Sequence, residues 1–357
     1  MSAAELPSIP GILTSRQVLQ TAESIASQQF GDGAIPWFRD GHTDPWDHVE
    51  SAMALTVAGL TDAARAAYRW SADTQRTDGS WPLQLRATEI ENPDTDTNFC
   101  GYIATGIWHY YRCTGDRAFL DSMWPTVRAA IDYVISMQQG RNGEIYWLRT
   151  ERGVLPEALL TGCSSMFHSI GCGLAIAATL GIEQPEWEVA ALRLGHALRH
   201  HPESFAEKDR YSMDWYYPVL CGVLRGDAGA ARIAARWDDF VVGEIGIRCV
   251  ADRPWVTGAE TCELVLALDA LGDPERALRL LANMQHLRED DGSYWTGLVF
   301  ADGKRWPEER TTWTGAAMVL AADALTRTTG GNGIFRELAP GADISTGLAC
   351  DCVRSRS

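Results

Sequence analysis

The sequence predicts an all-α protein, an (α/α)6 toroid of six inner and six outer helices occupying residues 1–330. Three observations carry that prediction. Helical segments alternate strictly along the chain between amphipathic and apolar on nearly all faces. A helix with a polar face lies outside, and one without is enclosed. Segments of the outer kind tend to end in glutamine, a glycine-containing turn and a tryptophan: Gln29 to Trp37, Gln75 to Trp81, Gln139 to Trp147 and Gln285 to Trp295. Glycine allows the reversal and tryptophan can cover the exposed helix end. Lastly, the period-two alternation a strand requires is confined to short runs such as 143–147.

In chain order, 14–29 opens with Ser15 and is amphipathic. After a loop, 45–59 is rich in alanine and nearly uncharged past Glu50, and 61–76 is amphipathic again. Segment 96–113 is apolar and small, 117–139 amphipathic, 164–180 apolar and rich in glycine and alanine, 184–200 amphipathic. The alternation continues through 212–224, 227–239, 257–271, 274–288 and 311–327, twelve helices in all. From 328 the chain is glycine-rich and aperiodic, and 331–357 is set apart as a tail or lid.

Composition narrows the partners. A net charge of −16 opposes a nucleic-acid backbone or an anionic membrane, which need a basic face. Fourteen tryptophans suit a neutral ligand with flat apolar faces, such as a sugar. Nine scattered cysteines fit free thiols in a reducing cytoplasm. The N-terminus lacks a signal-peptide pattern, and no run reads as long and apolar enough to span a membrane. No zinc-type histidine spacing, phosphate-binding glycine loop or GxSxG occurs, so no metal and no cofactor is expected.

Two stretches share one pattern. At 44–55 and again at 257–268 a capping residue precedes an acid by three positions (Asp47, Glu260), a second acid follows three later (Glu50, Glu263), and the sequence then turns apolar. Either first acid could serve a capping box. Aligned on their small-residue cores, the inner helices present Asp47, Asn98, His168, Trp215, Glu260 and Trp313 at one level, with Trp46, Asp96, Asp214, Tyr216 and Trp255 close by. Inner helices all run the same way, so these residues share one mouth, an arrangement suited to a carbohydrate. Two carboxylates on non-adjacent helices leave room for a water, as inversion requires at about 6.5–9.5 Å. Glu260 is assigned as general acid and Asp47 as base, with the roles exchangeable. Glu50 and Glu263, a turn deeper, read as structural partners of the site. Trp46, Trp215, Trp255 and Trp313 would stack on rings, and Asn98, Asp214 and Tyr216 would hold hydroxyls. Asp96 either caps its helix or binds sugar, and His168 is either a satisfied core histidine or a ligand contact.

Residues 96–138 (DTNFCGYIATGIWHYYRCTGDRAFLDSMWPTVRAAIDYVISMQ) resemble the second and third hairpins of the six-hairpin glycosidases, the group that includes glucoamylases. That resemblance implies carboxylates in the loops before the third and sixth inner helices, where Glu157 (VLPEALLTG) and Glu308 (RWPEERTTW) stand. The glucoamylase signature is incomplete around both, with no Trp-Glu at Glu157 and Glu-Arg at Glu308. The chain also resembles an actinobacterial group often labelled prenyltransferase-like, and within it the mycobacterial hydrolases of methylmannose polysaccharide, which are α-endomannosidases. The activity implied is hydrolysis of an intracellular α-linked oligo- or polysaccharide. A terpene-cyclase or prenyltransferase-like toroid is the first rival, since the glutamine–tryptophan turns resemble cyclase motifs. Against it, Asp94-Thr-Asp-Thr97 lacks the last acid of a DxDD motif. A sugar epimerase would need a histidine pair, and a non-catalytic glycan-binding toroid would look much the same.

Overall fold

The computed structural model describes residues 5–337 and places all twelve expected helices. The inner set is α2 (Pro45–Val57), α4 (Thr97–Thr114), α6 (Leu160–Leu180), α8 (Ser212–Leu220), α11 (Gly258–Leu271) and α13 (Thr312–Thr326). The outer set is α1 (Ser15–Ala26), α3 (Thr61–Thr74), α5 (Arg117–Ser136), α7 (Pro185–His200), α9 (Gly226–Ala235) and α12 (Pro274–Asn283); a single-turn α10 (Trp237–Phe240) follows α9. Each inner helix packs on the two beside it, so the ring runs α2, α4, α6, α8, α11, α13 and back to α2. Five inner helices pair with the outer helix that follows them. The last, α13, pairs with α1, which closes the circle between the two ends of the chain.

Burial explains the alternation of character. Every residue of α2 is buried, as is α11 from Gly258 to Asp269. In the outer α12 only Ala277, Leu280 and Leu281 are buried. Helix α6 has the length and hydropathy of a membrane span, contrary to the sequence expectation. Its apolar faces are taken by α4, α5, α7 and α8, so the same composition here makes a ring wall. Helix α8 contains Pro218, which has no N–H for the carbonyl of Asp214, and the Arg232 guanidinium donates to that carbonyl at 2.6 Å instead.

The repeated turns fasten one hairpin to the next. Gln29 donates its amide to the carbonyls of Gly33 and of Ala63, beside the next outer helix. Gln75 bonds Gly79 and Thr126 in the same way, and in the third copy Gln138, not Gln139, bonds Gly143 and Ala190. Gly79 has φ +89°, and a Cβ there would lie 2.1 Å from the Ala129 carbonyl on α5, so only glycine lets the turn sit this close. Gln285 departs from the pattern and bonds Leu281, while Gly292 still packs on Gln20 of α1.

Short sheets, absent from the sequence reading, decorate the loops leading into inner helices. They are a hairpin β1–β2 (Gln84–Arg86, Glu89–Asn92), the triplet β3–β4–β5 (Thr95–Asp96, Leu148–Thr150, Gly153–Leu155) and a five-stranded meander. The meander is β6 (Val241–Val242), β7 (Gly246–Arg248), β8 (Trp255–Thr257), β9 (Gly297–Val299) and β10 (Lys304–Arg305). The alternating run 143–147 is not a strand but the lead into β4. Seven cysteines in the described residues are unpaired.

Residues 328–337 cross the end of the ring opposite the mouth, and the remainder of the expected tail lies outside the described residues. Asp269, near the end of α11, holds Arg327 and Arg336 at 2.7 Å each, and Arg225 donates to the Phe335 carbonyl. Replacing Asp269 with Asn should destabilise the fold by about 2–3 kcal/mol, below the cost of breaking a fully buried pair because both arginines keep solvent contact. Urea unfolding reads this, and a loss under about 0.5 kcal/mol would remove the pair from the closure of this end.

Candidate active site

Counting from the cap of each inner helix orders the mouth. Asp44 caps α2 by accepting from the N–H groups of Trp46 and Asp47 at 3.0 and 2.9 Å, so the cap is made without Asp47's carboxylate. Asp96 caps α4 by accepting from Asn98 and Phe99. Three residues past the caps stand Asp47 on α2 and Glu260 on α11, each only 5% exposed. Six residues past them stand Glu50, Tyr102, Tyr217 and Glu263.

The deeper level is satisfied by hydroxyl and indole donors. Tyr216 and Tyr217 both donate to Glu263, Tyr217 at 2.6 Å. Glu50 accepts from Trp46 Nε1 at 3.2 Å and Tyr102 at 3.3 Å, with Trp313 beside it. The Trp46 ring lies 5.4 Å from Tyr102 and 5.9 Å from Tyr217, bridging the interior from α2 to α8. The upper level is not satisfied: Asp47 Oδ2, Glu260 Oε2 and Asn98 Oδ1 are buried and have no hydrogen-bond partner among the described residues.

Burial raises the proton affinity of every one of these acids, because the charged form loses hydration. Asp47 rises well above the ordinary carboxylate value, as Glu263 does, through its burial and the like charge of Asp44, Glu50 and Glu263. Glu260 also rises, opposed by Cys249 and Thr257 beside it. Glu50 is pushed up to about 7 by burial, against the donors Trp46 and Tyr102, and Asp96 to about 7 despite the two N–H groups it caps.

The structure relocates several sequence candidates. His168 stands nine residues past the cap of α6, far below the mouth; it bonds the Ile334 carbonyl at 2.8 Å and stacks on Phe335, and burial holds it neutral with a pKa of about 4. It is a satisfied core histidine. Trp215 points outward, donating to Arg232 and stacking on Phe240 at 5.1 Å. Asp214 turns sideways to accept from Thr161 at 2.7 Å. Trp255 lies on β8 against the exposed Trp306, at the rim. Glu308 is exposed, and its neighbour Glu309 is the residue that accepts the Trp37 indole at 3.1 Å. Glu157 accepts the Trp147 indole at 3.0 Å. Tyr102, Tyr217, Cys249 and Glu309 are site residues that the sequence does not single out; Tyr102 stands six past the polar cap Asp96, a countable signal, whereas the cap of α8 is Tyr211, which gives none. No group of three or more His, Cys, Asp or Glu among the described residues could hold a metal ion.

The raised pKa of Glu50 sets a sign. A buried acid whose folded pKa exceeds its unfolded one stabilises below the unfolded value and loses that contribution as pH rises to the folded value. Glu50→Gln should therefore change stability least near pH 4.5 and gain on the wild type up to about pH 7. Thermal midpoints of the two proteins, compared across that range, test it; a constant difference would refute it.

Comparison with known proteins agrees with this architecture. The bacterial α-L-rhamnosidase six-hairpin glycosidase domain matches residues 39–152. A glycosidase solved in complex with glucose superposes with a TM-score of 0.69 at 16% identity, covering 87% of this chain and 96% of that one. A D-mannose isomerase superposes at 0.64 with 10% identity, over 90% of this chain and 100% of the other. Both show the shared fold. The MMP endo-(1,4)-3-O-methyl-α-D-mannosidase of Mycolicibacterium hassiacum is 63% identical over 354 residues, 98% of this chain and 97% of its own length. The chain is a six-hairpin glycosidase and belongs to the family of that mannosidase.

Proposed function

We propose that the protein cleaves a 3-O-methylated α-1,4-mannan internally, inside the cell, with inversion at the anomeric carbon, using Asp47 and Glu260. The observation that carries the assignment of residues is that Asp47 Oδ2 and Glu260 Oε2, buried and without a protein partner among the described residues, stand at one level of the mouth, whereas the other carboxylate with a bare oxygen, Asp44, is committed through Oδ1 to capping α2. The substrate class rests on the activity named for the 63% identical relative, and the compartment on the unpaired cysteines.

Helices α2 and α11 are second neighbours in the ring. With adjacent axes 8–10 Å apart, carboxylates reaching about 4 Å inward from two such helices stand roughly 7–10 Å apart, which overlaps the range for inversion of about 6.5–9.5 Å. The electrostatics favour the exchange of roles. Three surrounding carboxyl groups add to burial in holding the proton on Asp47, while Cys249 and Thr257 oppose the rise of Glu260, so Asp47 is assigned the general acid. Its proton passes to the glycosidic oxygen as the bond to the anomeric carbon breaks. Glu260 takes a proton from the water whose oxygen forms the new bond on the opposite face. Trp46 offers a ring to the sugar below, and Asn98 Oδ1 an acceptor to a hydroxyl.

A second reading rests on a different observation. Glu157 and Glu309 each stand two residues before the cap of opposite inner helices, α6 and α13, and each is held by an indole from a glutamine–tryptophan turn. Single variants decide between the pairs. Asp47→Asn and Glu260→Gln should each lower kcat about 10³-fold with folding intact, as loss of a general acid or base does. Retention of hydrolysis in these variants, with its loss in Glu157→Gln and Glu309→Gln, would transfer the chemistry to the second pair. Proton NMR during cleavage should show the inverted anomer first; a retained anomer would exclude a water between two separated acids.

The rate profile follows from the same shifts. The acid must hold its proton and the base must lose it, so kcat/KM falls on both sides of an optimum. Because both carboxyl groups are raised, both limbs should lie above pH 4.5. A limb at the ordinary carboxylate value, measured between pH 3.5 and 9, would contradict the burial argument.

A further inference from the structure

Outside the ring of acids, the mouth face carries a cavity of about 420 Å³. It lies where the C-terminal end of α1 meets three loops, those holding Phe38, Asp291 and Glu308. Outer helices run opposite to inner ones, so the end of α1 lies on the same face as the starts of α11 and α13. The cavity therefore opens beside the mouth, on the rim between the fifth and sixth hairpins.

Its chemistry is that of a sugar cradle. Trp295 spends its indole N–H on Glu289, so what it offers is an apolar ring, and the Arg310 guanidinium lies 5.6 Å from the centre of that ring. Phe38 supplies a second ring. Arg310 is itself fixed by Asp291 at 2.9 Å and Ser293 at 2.8 Å, a rigid arrangement of donors and acceptors of the kind hydroxyl groups require. The lining holds three carboxylates against two guanidinium groups, a balance that disfavours an anion and suits a neutral polyhydroxyl ligand.

A connected path joins the cavity to the acids. Glu309, on its wall, accepts the Trp37 indole; the Trp37 ring lies 5.8 Å from that of Trp313, and Trp313 stands beside Glu50. We propose that this cavity is a remote subsite for the polysaccharide, gripping a sugar several units from the cleaved bond and so favouring long chains over short ones. The proposal rests on the hydrolase reading above, and it supplies what internal cleavage needs, a hold on the chain beyond the reacting units.

Two variants test it. Ser27→Trp, at an exposed position on the cavity wall, fills the cavity, and Arg39→Ala removes a donor from it. For each, the ratio of kcat/KM on polymer to that on a short oligosaccharide should fall about tenfold, carried by KM on the polymer. Binding of polymer to Asp47→Asn protein, with and without Ser27→Trp, is read in parallel by affinity electrophoresis, with circular dichroism to confirm folding. An unchanged ratio together with unchanged binding overturns the subsite. A protein that cleaves no mannan, but loses polymer binding with Ser27→Trp, keeps the subsite and sinks the hydrolase reading instead.

Discussion

The glutamine side chain at the end of an outer helix sets the geometry on which the rest depends. Its amide has two hydrogens: one closes its own glycine turn and the other reaches the neighbouring outer helix, as Gln29, Gln75 and Gln138 show. A primary amide forked between two fixed carbonyls determines both the distance and the angle between successive hairpins. Set at the first three junctions between outer helices, that increment helps bring α13 to meet both α1 and α2, where the ring closes. It also makes every inner helix parallel to the others, so six sets of N-terminal N–H groups gather at one mouth, where helix dipoles favour acids.

What the mouth does with its acids depends on depth. At the sixth residue past each cap, tyrosine hydroxyls and indoles reach the carboxylates of Glu50 and Glu263 and leave them bonded. At the third residue, no tyrosine is in reach, and Asp47 and Glu260 keep a bare oxygen each. The lower pair thus acts on the upper one electrostatically: Glu50 and Glu263 are among the charges that raise Asp47. Burial and such neighbours both push a carboxyl towards staying protonated near neutral pH, and here they act together.

The fold was legible because burial writes itself into composition twice, once as the alternation of helix character and once as the repeated turn. The site was legible only where a helix announces its first residue. Asp44, Asp96, Thr257 and Thr311 are recognisable caps, and on their helices Asp47, Asn98, Glu260 and Trp313 fall within a residue of the expected level. The caps of α6 and α8 are Leu159 and Tyr211, neither of which makes a side-chain bond to the helix. With no polar cap to mark its first turn, α6 starts at Leu160, four residues before its apolar run suggests, and His168 lies a turn deeper for that reason. On α8 the third residue past the cap is Asp214, one before Trp215, and its carboxylate turns aside to Thr161. The meander of β6 to β10 escaped for another reason: its strands are two or three residues long, too short for a period of two to show.

Bare buried oxygens are costly. Each unsatisfied polar atom forgoes about 1–3 kcal/mol, so Asp47, Glu260 and Asn98 together give up a sizeable share of the 5–15 kcal/mol that holds a typical domain folded. Protonation reduces that cost for the two acids without removing it, because a neutral carboxyl still has lone pairs and a hydrogen to place. Selection for stability alone would have put tyrosines opposite them, as it did one turn below. Their persistence at the mouth, on a rim whose loops carry aromatic rings, is coherent if sugar hydroxyls complete the bonds. The polar groups that weaken the empty protein are then the ones that grip the reacting unit, while the apolar interior beneath supplies the low dielectric that tunes their protons.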